Sequence, residues 1–120
     1  MKTLKIGILS PEAYKARTLA IARGEYKAKA GEPKLWFTSL ESAAKLLSQS
    51  NRELLARIAR EKPASVTELA QRTGRAKSNL SRTLKTMERY GLVHLHKAKG
   101  RTIVPQVNYR DIRFDVRLAG

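Results

Sequence analysis

Residues Ser65–Val93 read SVTELAQRTGRAKSNLSRTLKTMERYGLV, two short helical patterns hinged at Thr73-Gly74 and closed by Gly91. In the second pattern Leu80, Leu84 and Met87 recur at i, i+4 and i+7, the stripe that a helix turns inward. Lys77, Ser78, Ser81, Arg82 and Lys85 fall on the opposite side. A helix with one apolar and one cationic flank, joined to its predecessor by a tight turn, is a helix-turn-helix arrangement, whose second helix enters the major groove of duplex DNA.

The flanking residues extend this reading. Ser65 and Glu68 stand at capping-box spacing, with the hydroxyl accepting from the Glu68 amide and the carboxylate returning to the Ser65 amide. Val66, Leu69 and Ala70 would support the following helix, and Gly74 permits the left-handed backbone of a sharp turn. The second helix is predicted over residues 76–90, with Gly91 as its stop. Leu92 to His96 then alternates as a strand, Lys97-Ala98-Lys99-Gly100 is a basic turn, and Arg101 to Val107 resumes the strand. That order predicts a two-stranded wing whose tip carries Lys97, Lys99 and Arg101 toward flanking phosphates or the minor groove.

Charge points to the same partner. The chain has 120 residues, the length of one domain with an appended arm, and a net charge of +15, which makes a polyanion its natural ligand. From Gln71 to Arg101 there are nine Lys and Arg against the single acid Glu88, a surplus of eight. The rest of the C-terminal half is neutral, and the remaining excess is spread over residues 1–60. No apolar run approaches the roughly 20 residues of a spanning helix, and the N-terminus does not read as a secretory signal. The absence of cysteine excludes disulfides, thiolate metal sites and cysteine nucleophiles. A cytoplasmic, nucleoid-associated location is expected.

N-terminal to the motif, Thr3 to Leu9 alternates like a short strand, and Ser10-Pro11-Glu12 opens a helix predicted to run to about Tyr26. Its apolar face is thin. Leu35-Trp36-Phe37 suits a strand or a hydrophobic latch, Ser39 precedes a helical pattern, and Asn51 begins another that Pro63 stops. At the far end Tyr109 to Leu118 alternates regularly, which predicts pairing either with residues 2–9 or with the same strand of a second subunit.

Other chemistries fit poorly. His94 and His96 have a spacing that can ligate a metal, but no cysteine or third histidine completes a set, so no metal and no cofactor are expected. Ser78 and Ser81 lack a base to activate them, and Asp111 and Asp115 read as the wet face of a strand. No catalytic residue is assigned, and an enzyme is not expected. Trp36 and Phe37 read as core rather than as a base-stacking platform.

The run ELAQRTGRAKSNLSRTLKTMERYGLV (Glu68–Val93) resembles the winged helix-turn-helix segment of prokaryotic MarR- and ArsR-type transcriptional regulators. The stronger likeness is to a group of short predicted MarR-like regulators, carried also by FTSLESAAKLLSQSNRELLARIA (Phe37–Ala59) and DIRFDVRL (Asp111–Leu118), so that it spans about residues 35 to 118. It implies a groove-facing helix over Arg75 to Lys85 and a wing over His94 to Thr102. The large aromatic or acidic pocket of effector-sensing MarR proteins is missing, which argues against small-molecule sensing. A weaker likeness is to the antitoxin of TumE–TumA toxin–antitoxin pairs, which would imply a cognate toxin as partner.

These readings predict an α+β chain. Residues 1–38 form a strand–helix extension used for dimerisation, 39–107 a winged helix-turn-helix domain, and 108–120 an amphipathic strand. The expected function is sequence-specific binding of double-stranded DNA, as a repressor on a palindromic operator, by a homodimer whose recognition helices lie about 34 Å apart. Arg75, Lys77, Lys97, Lys99 and Arg101 would contact phosphates, Ser78, Asn79, Ser81 and Arg82 would reach base edges, and Lys85 completes the DNA-binding set of the recognition helix. An autoregulating antitoxin and a basic RNA-binding protein are the alternatives.

Overall fold

A computed structural model describes residues 2–118. The chain is mixed α and β and forms two compact units, one spanning Ser48–Arg110 and the other Lys2–Leu47 together with the segment from Asp111 onward. The first boundary falls after Leu47, whereas the sequence predicts it at 38/39, with the helix after Ser39 inside the helix-turn-helix domain. That helix instead contacts the strand before it within the N-terminal unit and buries Ala43.

In the N-terminal unit, strands β1 (Lys2–Ile8), β2 (Leu35–Phe37) and β5 (Tyr109–Val116) form one sheet in the order β2-β1-β5. The C-terminal strand thus pairs with the N-terminal one, the first of the two partners its alternation allowed. β1 and β2 run parallel, with Ile6, Gly7 and Ile8 opposite Leu35, Trp36 and Phe37. A parallel pair requires a crossover, which helix α1 (Pro11–Ala22) supplies. Ser10 caps α1 by accepting from the Ala13 amide at 3.1 Å, and Pro11 occupies the first turn. The helix ends at Ala22, short of the expected Tyr26, because Gly24 takes a left-handed φ of +74°. It buries none of its residues.

Ile6, Ile8, Leu9, Phe37, Ala43 and Leu47 are the buried apolar residues of this unit. Gly7 is required by close approach, since a Cβ there would lie 2.1 Å from the Trp36 ring. The Arg17 guanidinium sits 4.9 Å from the centroid of that ring and pairs with Glu32 at 3.2 Å. The Tyr26 hydroxyl donates to the other oxygen of the same carboxylate, which holds Glu32 below its ordinary carboxylate value. Helix α2 (Leu40–Leu46) is capped by Ser39, whose hydroxyl accepts from the Ser42 amide at 3.0 Å.

The second unit contains helices α3 (Gln49–Glu61), α4 (Val66–Thr73) and α5 (Lys77–Arg89), then strands β3 (His94–Lys97) and β4 (Ile103–Gln106). α3 begins two residues before Asn51 because Ser48 caps it, accepting from the Asn51 amide at 3.2 Å. It stops at Lys62, whose φ of +48° breaks the helix before Pro63. Leu54, Leu55, Ile58, Val66, Leu69, Leu80, Leu84, Met87, Leu92 and Val107 are buried in this unit. β4 packs on both α3 and α4, and β3 on α5. No helix among the described residues is long and apolar enough to cross a membrane.

Candidate nucleic-acid interface

The α4–α5 pair is built by local bonds. The Ser65 hydroxyl accepts from the Glu68 amide at 3.0 Å, one half of the capping box. The return bond does not form, because the Glu68 carboxylate pairs with Arg72 one turn on. At the end of α4 the Thr73 hydroxyl donates to the Leu69 carbonyl at 2.8 Å and accepts from the Arg75 amide at 3.4 Å. Gly74 between them has φ +71°, and a Cβ there would meet nothing within 4 Å. Backbone handedness, rather than space, selects glycine at this turn.

α5 presents the two flanks its sequence described. Leu80, Leu84 and Met87 are each 0% exposed. Lys77, Ser78, Asn79, Arg82 and Lys85 are exposed, while Ser81 is half-buried. The Thr83 and Thr86 hydroxyls, between the two flanks, bond back to the Asn79 and Arg82 carbonyls at 3.1 Å each.

Two cations of the basic segment have partners within the unit. Arg75 is half-buried, and its guanidinium donates to the hydroxyl and carbonyl of Ser50 at the start of α3. Arg72 joins an acid network with Glu68 and Glu61, and Arg57 and Arg60 reach Glu61 from α3. Ser50 and Glu61 are both distant in sequence from the motif's cationic face, which is why local spacing does not reveal these pairings. Glu88, the segment's one acid, is also engaged: its carboxylate accepts from the Leu95 amide at 3.1 Å and ties β3 to the end of α5.

The β3–β4 hairpin sets Leu95 opposite Pro105 and Lys97 opposite Ile103. Its turn is closed by the Ala98 amide donating to the Thr102 carbonyl at 2.8 Å, with Gly100 at φ +69°. Lys97, Lys99 and Arg101 are exposed around that turn. At the root, the Tyr109 hydroxyl donates to the Leu92 carbonyl at 2.5 Å, and burial pushes this phenol up to about 12. His94 and His96 stack with ring centroids 5.9 Å apart, and no group of three or more His, Cys, Asp or Glu suited to a metal occurs among the described residues.

Between α5, the first turn of α4 and the hairpin runs a cleft of about 400 Å³, whose lining includes Thr67, Lys77, Ser81, Lys85, Arg101 and Thr102. The structure therefore brings α5 cations and a hairpin cation to one groove. Thr102, the last residue of the wing that the resemblance implies, joins them, as does Thr67, which sequence reasoning does not assign to the site. The signal available for Thr67 was its place in the first turn of α4, the helix end nearest the groove.

A family model described as HVO_A0114 matches residues 46–114, more than half of the chain. No curated protein matches the chain. No solved structure matches it.

Proposed function

This chain belongs to the HVO_A0114 family, and we propose that it is a winged helix-turn-helix transcriptional regulator that binds double-stranded DNA sequence-specifically. One observation carries the reading: Lys77 and Lys85 of α5 and Arg101 of the hairpin line one groove, while Leu80, Leu84 and Met87 on the other flank of α5 are wholly buried. A buried stripe fixes the helix so that its outer side chains meet a ligand in a defined register.

In this mechanism α5 enters the major groove and the hairpin acts as the wing. Lys77, Lys85, Lys97, Lys99 and Arg101 bind phosphates and set position, which carries no sequence information. Arg82 pairs with guanine and Asn79 with adenine, each bidentate pair contributing roughly 1–3 kcal/mol of discrimination, with Ser78 and Ser81 reaching neighbouring edges. Arg75 serves this site indirectly, by fixing the entry of α5 against Ser50. A homodimer on a palindromic operator acts as a repressor in this scheme, in keeping with the resemblance to MarR-type regulators.

The test is binding of the purified chain to genomic duplex fragments, with structured RNA titrated at matched salt. Recovery of a common palindromic sequence from the bound fragments is the expected result. Tighter binding to RNA than to any duplex would replace this reading with that of an RNA-binding protein.

A further inference from the structure

β5 lies at the edge of its sheet, with β1 on one side and, among the described residues, no strand on the other. The Arg117 amide donates to the Ile8 carbonyl at 3.0 Å. Backbone groups of successive strand residues point to opposite edges. The odd-numbered residues of β5 therefore bond toward β1, and the amides and carbonyls of Ile112, Phe114 and Val116 point to the open edge.

Side chains alternate between faces in the same way. The Arg117 guanidinium sits 5.6 Å from the centroid of Trp36, which is paired with Gly7 across the β1–β2 ladder. Asp111, Arg113 and Asp115 share that face with Arg117. Ile112, Phe114 and Val116 share the face of Ile6 and Ile8. Yet Phe114 is 43% and Val116 is 44% exposed. An open edge flanked by exposed apolar side chains is a template for a further strand.

The charges specify which strand. Asp111, Arg113, Asp115 and Arg117 alternate in sign at every second residue. Consider two copies of β5 antiparallel about a dyad through Phe114. Arg113 then faces Asp115 of the second copy, Asp111 faces its Arg117, Ile112 faces its Val116, and Phe114 faces Phe114. Every charged pair is opposite in sign. A dyad through Arg113 instead sets Arg113 against itself and Asp111 against Asp115, and parallel in-register pairing repels at every charged position. A dyad through Ile112 keeps only the Asp111–Arg113 match and sets Phe114 against Arg110, and one through Val116 keeps only the Asp115–Arg117 match, whereas the Phe114 dyad matches both Arg113 with Asp115 and Asp111 with Arg117.

We propose that a second copy of this chain occupies the open edge, with the two β5 strands antiparallel about Phe114. Two three-stranded sheets then become one continuous sheet across the dyad. This supplies the homodimer contact invoked under the DNA-binding reading. It is tested without DNA, so either can fail alone.

The chain has no cysteine, so Phe114→Cys introduces a sole thiol. Facing residues of a hydrogen-bonded antiparallel pair have Cα atoms about 5.5 Å apart, within disulfide reach. Oxidation of Phe114→Cys is expected to give a disulfide-linked dimer on a non-reducing gel, and Ile112→Cys, offset from its own copy in this register, is expected to stay unlinked. By sedimentation equilibrium, Arg113→Asp and Asp115→Arg should each weaken association by about tenfold or more. The double reversal should restore it, because opposite signs again face each other across the dyad. A wild-type chain that sediments as a monomer at micromolar concentration overturns the proposal. So does linkage through Ile112→Cys in place of Phe114→Cys, or a double reversal no better than the single ones.

Discussion

Replacing Lys97 and Lys99 together by Gln removes two exposed cations at the hairpin turn, and under the proposed DNA-binding function the consequence is set by counterion release. Each phosphate neutralised on duplex DNA adds about 0.9 to the slope of log K against log salt. Lys77, Lys85, Lys97, Lys99 and Arg101 are all exposed and, among the described residues, form no ion pair. If each protomer spends these five on phosphates, its slope is about −4.5, and that of the double variant about −2.7. Between 50 and 200 mM salt the wild-type protomer then loses about 500-fold in affinity and the variant only about 40-fold. Fluorescence anisotropy of a labelled duplex across a potassium chloride series reads both slopes directly. The lysines neither pack nor pair, so thermal stability should be unchanged. Parallel salt plots, with the variant merely offset or not altered at all, would refute the assignment of the hairpin to the phosphate backbone.

Arg82→Ala is expected to lose roughly 1–3 kcal/mol of discrimination at one base position, read by competition with singly substituted operators, whereas Lys99→Ala should weaken all of them alike. Leu84 is 0% exposed, so Leu84→Ala should cost about 2–5 kcal/mol in urea unfolding, and a cost below about 1 would mean that the α5 stripe is not packed as described. Tyr109 contributes a pH dependence of definite sign. Its folded-state value is raised from 10.0 to about 12, so its contribution is whole below pH 10 and is lost as pH rises through about 12. Urea midpoints measured across that window should fall less steeply for Tyr109→Phe than for the wild type.

Local chemistry made much of this structure readable. Ser10, Ser39 and Ser65 each precede an apolar pattern, and each caps the helix it was expected to cap. The stripe of Leu80, Leu84 and Met87 required only the helical period. What escaped were choices between local and distant partners. Glu68 was expected to return to the Ser65 amide, but Arg72, one turn on, takes its carboxylate instead. Arg75 was expected to contact phosphate, and only the fold shows that Ser50, on a different helix, takes it. The end of α1 was missed because its weak apolar face gives no clear edge, and Gly24 does the stopping. β2 stayed ambiguous because three residues hold too little periodicity, and only its pairing with β1 makes it a strand.

The indole of Trp36, flanked by the guanidinium groups of Arg17 and Arg117, is the chain's single tryptophan. Its emission is therefore an optical report on the sheet unit alone, while circular dichroism near 222 nm sums helices from both units. Melting curves from the two signals become a measure of autonomy. If they superimpose, the halves collapse as one cooperative body, and if they separate, the groove-bearing half has a thermal life of its own.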